Sequence, residues 1–163
     1  MKGIAILLIV LLFQLNLMGQ QLNESAFDFW IGEWSVSWKD QNGKIVTGSN
    51  EIERTTNKKV IQENFHDPNT NFKGTSLSVY SPTKKTWHQA WADSNGSYFD
   101  FIGDTVNGNP SFKTKTVVKD GEKIIQRMVF KEITKNSFVW VWEETKDGGE
   151  HWNELWKINY IRI

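Results

Sequence analysis

From Ala26 onward, short runs of β-branched and aromatic residues alternate with clusters of Asn, Asp, Gly and Pro. Within the runs the period is two. Trp87, Gln89, Trp91 and Asp93 fall on one face of their segment, and His88, Ala90 and Ala92 on the other. Ile124 to Phe130 and Ser137 to Trp142 are equally rich in residues that suit a pleated surface. Only Glu24 to Ile31 offers a helical turn, with Asn23 or Ser25 as its cap.

Reversals are marked at Gln41-Asn42-Gly43, Thr56-Asn57, His66 to Asn69, Ser81-Pro82, Ser94-Asn95-Gly96, Asn107 to Pro110, Asp120-Gly121, Lys135-Asn136 and Asp147-Gly148-Gly149. Asn-Gly and Asp-Gly tolerate the positive φ of tight hairpins, so these nine sites delimit ten segments. The expected fold is all-β: a single up-and-down antiparallel β-barrel of about ten strands with a short N-terminal helical turn. Closure removes the two exposed edges that so long a meander would otherwise leave. A ten-stranded sandwich is the alternative, and it would leave no ligand-sized space.

The first nineteen residues differ from the rest. Lys2 is followed by the apolar run Ile4 to Phe13, and Met18-Gly19 ends on a small residue. This is the build of a secretory signal peptide, with too few apolar residues to span a bilayer. Residues 1–19 are therefore expected to be a signal peptide and residues 20–163 the barrel domain of a periplasmic or secreted protein, off the membrane once the signal is removed. The chain has no cysteine, hence no disulfide framework, thiol nucleophile or lipid-bearing Cys. Nine Trp, ten Phe and three Tyr among 163 residues suffice for one core. The formal net charge is zero, so nothing recruits nucleic acid.

The opening Phe27-Asp28-Phe29-Trp30-Ile31-Gly32-Glu33-Trp34 resembles the start of a calycin barrel, in which a Gly-x-Trp begins the first strand. The resemblance implies that Trp34 closes the barrel floor and that a basic residue of the last strand, here Arg162, covers it. A wider series resembles an uncharacterised bacterial domain family with a calycin-like barrel. It comprises Glu63, Ser76 to Tyr80, Trp87 to Trp91, Asp93, Arg127, Trp142-Glu143 and Asp147 to Trp152. That likeness spans Ala26 to Arg162 and implies a fold and an exported setting, without an activity. The nitrobindins, haem-binding ten-stranded barrels, are similar at the level of fold only.

If the aromatic faces turn inward, the barrel holds a cavity lined by Trp87, Gln89, Trp91, Trp140 and Trp142, with Glu63 and Arg127 as charged groups. Apolar walls with a few polar handles are the usual make-up of a small-molecule site. Trp152, Trp156 and Tyr160 are expected to share a further face. Each Trp also has a plain reading as core, and Glu63 and Arg127 as solvated outer residues. Glu143 is expected to anchor the turn that follows it. His66, His88 and His151 show no metal-binding spacing, so no metal and no cofactor is expected. The leading expectation is a binder of a small apolar or aromatic molecule. The second is an isomerase, cyclase or hydrolase using Glu63, Asp93 or Arg127 in the same cavity, and the third a haem or nitric-oxide binder.

Overall fold

A computed structural model describes residues 22–163; the signal-peptide expectation for residues 1–19 lies outside the described residues. The strands are β1 (Gly32–Lys39), β2 (Ile45–Thr55), β3 (Val60–Asp67), β4 (Phe72–Ser81), β5 (Thr86–Asp93), β6 (Tyr98–Val106), β7 (Asn109–Thr114), β8 (Val117–Lys119), β9 (Glu122–Lys131), β10 (Ser137–Thr145) and β11 (Asn153–Arg162). Alternation decides which side chains enter the core. Trp34, Val36 and Trp38 of β1 are buried, as are Ile61, Glu63, Phe65 and Asp67 of β3. On β4 the inward positions are small, Gly74, Ser76 and Ser78, which leaves volume for the large rings opposite.

Each strand pairs antiparallel with its neighbour, and the order β10-β11-β1-β2-β3-β4-β5-β6-β7-β9 closes because β9 also pairs with β10. The result is a closed ten-stranded barrel, as expected. An eleventh strand was not. The chain leaves the barrel at Lys115-Thr116, and β8 pairs only with the start of β9. No Gly, Asn or Pro marks that break, which is why the segment reads as one strand in the sequence.

The two barrel ends are built differently. At the end where β1 begins, the N-terminal segment and a 3-10 turn, Asp28–Trp30, form a plug. Phe27 is fully buried, stacked on Phe112 at 4.4 Å and edge-on to Trp87 at 5.2 Å. Trp30 meets Phe130 at 5.3 Å. Each such pair adds about 0.5–1.5 kcal/mol to the gain from area burial. Trp34 is completely buried, and its Nε1 donates to the carbonyl of Trp30 at 2.8 Å. The Arg162 guanidinium lies over the Trp34 ring and donates to the carbonyls of Phe29, Ile31 and Lys135, at 3.0, 2.8 and 2.9 Å. Last strand, plug and floor are thereby locked together.

The opposite end is the mouth, bordered by the β1–β2, β3–β4, β5–β6 and β10–β11 loops and by the β8–β9 hairpin. An aspartate pins each of the four loops by accepting backbone N–H bonds. Asp40 takes Asn42 and Lys44, and Asp67 takes Asn69. Asp93 takes Asn95 and Ser97, and Asp147 takes Gly149, Glu150 and His151. Loops tied internally in this way hold the rim open in a fixed shape.

Candidate functional site

Between plug and mouth lies a cavity of about 180 Å³, open at the mouth. Its walls are aromatic: Trp91 of β5, Trp140 and Trp142 of β10, and Trp156 of β11, with Phe65, Phe72, Phe99 and Phe101. Trp140 and Trp142, two residues apart on one strand, lie parallel at 6.2 Å. Trp156 stands edge-on to Trp140 at 5.8 Å, and Phe101 edge-on to Trp142 at the same separation. Met128 and Ile158 complete the apolar part. A side-chain Cβ at Gly74 would collide with the ring of Trp91, so glycine there is what lets that indole lie against β4. The Trp91 Nε1 donates to Asp93 Oδ2 at 3.1 Å, fixing the ring beside the rim.

The polar part is a compact cluster. Glu63 is buried and lines the cavity together with Tyr160. Its Oε1 accepts from Asn50 Nδ2 at 2.7 Å, and its Oε2 accepts from Ser76 Oγ at 2.7 Å. Asn50 Nδ2 also donates to the Tyr160 hydroxyl at 3.0 Å. Burial pushes the Glu63 carboxyl up from 4.5 to about 7, against the opposing pull of the Asn50 and Ser76 hydrogen bonds. Burial, and then the Glu63 charge, also drive the Tyr160 hydroxyl well above its ordinary value, so it stays protonated. Among the described residues, no Lys, Arg or His forms an ion pair with Glu63 or lines the cavity. A carboxyl close to half-ionised at neutral pH, in an apolar chamber, can hold a cationic ligand or move a proton.

Of the residues singled out in the sequence, Glu63, Trp91, Asp93, Trp140, Trp142, Trp156 and Tyr160 line this cavity. Trp87 and Gln89 share the inward face with Trp91 but lie deeper. Trp87 belongs to the plug, with its indole donating to the Asn23 carbonyl at 2.9 Å. Gln89 is buried one layer below the cavity, donating to Ser78 Oγ at 2.9 Å. Period two fixes a face; it does not fix a depth.

Arg127 corrects the expectation outright. It lies on the outer wall because Met128 and Phe130 take the inward positions of β9. There its Nε donates to Glu143 Oε2 at 2.7 Å, and its guanidinium lies 3.5 Å from the centre of the Trp152 ring. Glu143 consequently pairs with Arg127 and Lys131 instead of anchoring the next turn, a role taken by Thr145 and Asp147. Trp152 sits in the β10–β11 loop against Arg127, apart from the inward Trp156 and Tyr160. Asp93 is engaged as a loop anchor. Burial works against its charge, but bonds from Trp91, Ser97 and Asn95 hold its carboxyl below the usual range. None of the three histidines lines the cavity, which leaves a haem iron no imidazole there.

Asn50 and Ser76 are the polar residues that sequence reading missed, while Tyr160, expected on an aromatic face, adds its hydroxyl to them. Asn and Ser in a strand look like outer-face residues, and only the registers Asn50↔Phe65 and Glu63↔Ser76 bring them to one carboxylate. No protein-family model matches the chain, and no curated protein is similar to it in sequence.

Proposed function

We propose that the chain is an exported, calycin-like binding protein that holds a small apolar or aromatic molecule in the Trp-lined mouth of its barrel, in the periplasm or outside the cell. The supporting observation is the cavity of about 180 Å³ walled by Trp91, Trp140, Trp142 and Trp156. A dry apolar cavity of about 150 Å³ accommodates benzene, so the space suits one ring with short substituents. The aspartate-pinned rim keeps the site formed without a ligand, which lowers the ordering cost of binding. Titration of intrinsic Trp fluorescence with a panel of single-ring aromatics and short lipids tests the reading. Saturable quenching that Trp140→Ala weakens at least tenfold is expected. Absence of saturable binding across the panel refutes it.

A second reading, an acid–base enzyme, has Glu63 in its favour: one carboxyl poised near neutrality at the cavity wall. Its test is turnover of bound panel members, followed by mass spectrometry. Product formation that Glu63→Gln leaves unchanged would dismiss Glu63 as the proton carrier.

A further inference from the structure

We infer that the cavity selects a protonated amine carried on an apolar or aromatic body, with Glu63 as its counter-ion. This rests on the binding reading above and narrows it to an electrostatic class.

Three independent features of the chamber have the same sign. The first is the walls. Ring faces carry the negative lobe of the aromatic quadrupole, and a cation against Trp gains about 0.5–2 kcal/mol, more where water is excluded. Trp91, Trp140, Trp142 and Trp156 line one space, whereas the two described arginines that lie over Trp rings do so elsewhere, at the floor and on the outer wall. The second is the carboxyls. Glu63 and Asp93 line the cavity, and no basic side chain among the described residues does. Of the other buried carboxylates, Glu143 has two cations within 3.0 Å and Asp67 is held at the rim by Asn69 and Thr70; Glu63, inside the cavity, has only neutral donors. Burying a carboxylate without a cation is costly, and a ligand that brings one relieves the cost. The third is the leftover hydrogen-bonding capacity. Among the described buried side-chain atoms without a partner, one belongs to the Glu63 cluster: Asn50 Oδ1, an acceptor; the others, Trp30 Nε1, Gln89 Oε1 and Ser111 Oγ, lie in the plug, below the cavity and on the outer wall. An ammonium is all donor, so it matches the acceptor that the Glu63 cluster leaves open.

A neutral or anionic ligand of the same shape meets the opposite situation. An anion would face Glu63 and the negative ring faces, and a neutral hydrocarbon would leave the Glu63 charge uncompensated.

The test compares benzylammonium with its uncharged isostere ethylbenzene, by calorimetry on the full chain between pH 6 and 8, where the amine stays charged. Benzylammonium should bind at least tenfold more tightly than ethylbenzene at pH 8, and Glu63→Gln should remove most of that gap. Its affinity should rise about tenfold from pH 6 to pH 8 as Glu63 gives up its proton, while that of ethylbenzene should not rise. The groups facing Glu63 permit that assignment. Tyr160 from β11 stays protonated, Asp93 from β5 stays ionised, and β2 and β4 contribute the non-titrating Asn50 and Ser76. The pH series needs no mutant, so it decides the matter even if Glu63→Gln fails to fold. Ethylbenzene binding as tightly as benzylammonium overturns the inference and leaves the apolar-ligand reading standing. A preference for the amine that neither pH nor Glu63→Gln alters overturns the role of Glu63. Binding of neither compound, up to millimolar concentration, overturns both readings.

Discussion

Arg162 and Trp34 sit on strands that meet only when the barrel closes, and the guanidinium carbon of the one lies 4.1 Å from the ring centre of the other. The same guanidinium occupies the space that a side chain on Gly32 would fill, where φ is +141°. Its donors satisfy the carbonyls of Phe29, Ile31 and Lys135. Closure, plug and floor thus depend on one side chain. The contact resembles the Trp–basic pair that the sequence suggests for a calycin floor.

Arg162→Ala should therefore destabilise the fold by about 3 kcal/mol. The cation–π contact accounts for roughly 0.5–2 kcal/mol, and the charge-assisted bonds for the rest. Arg162→Lys should recover less than half, because an ammonium cannot reproduce the planar fork. Urea unfolding monitored by Trp fluorescence measures both. A loss below about 1 kcal/mol for Arg162→Ala would show that the floor is held by packing alone.

Gly74 lies under the Trp91 ring, in contact so close that no Cβ fits. Gly74→Ala must push the indole into the cavity or out toward solvent, breaking its bond to Asp93. Overpacking of this kind costs about 1–3 kcal/mol. The expected signature is a shift in Trp emission together with weaker binding of any cavity ligand. A variant with unchanged emission and affinity would mean that Trp91 is not held by β4.

How far the sequence led is clearest from the strands themselves. All nine turn signals fall in reversals, because Asn, Asp and Gly tolerate positive φ, as at Gly43, Gly96, Asn107 and Gly121. The break at Lys115-Thr116 uses neither Gly nor Asn and left no mark. Facing was readable on β5, where large and small residues alternate, and unreadable on β9. There both parities are apolar: Met128 and Phe130 point in, while Val129 is buried on the outer wall beside Arg127. The polar cluster was the least legible part. Asn50, Glu63, Ser76 and Tyr160 lie up to 110 positions apart in sequence, and only strand register brings them together.

Arg127, on the outer wall, should matter for stability and not for binding. Its loss leaves the mostly buried Glu143 with Lys131 alone and strips the cover from Trp152. Arg127→Ala should cost about 2 kcal/mol, below the range for fully buried pairs because both side chains keep some water. Ligand affinity should change less than twofold. Both quantities come from one thermal-denaturation series with and without ligand, and a tenfold loss of affinity would return Arg127 to the site.

Glu63 should give the fold a pH dependence opposite in sign to that of most carboxylates. Its folded-state value, about 7, lies above the 4.5 of the unfolded chain, so the folded protein binds this proton more tightly. Stability from this group is therefore complete below about pH 4.5, declines as the pH rises toward 7, and levels off above that. The total decline is on the order of 3 kcal/mol. Asp67, Asp93 and Glu143, whose carboxyls are lowered, act in the reverse sense and lose their contributions as the pH falls. The clean readout is thus a difference. Subtracting the stability of Glu63→Gln from that of the unmodified protein at each pH cancels the other groups. The difference should fall between pH 4.5 and 7, because the amide never ionises inside the apolar chamber. A flat difference would mean that water reaches Glu63 and keeps it an ordinary carboxylate, which would also remove the uncompensated charge on which amine selectivity depends.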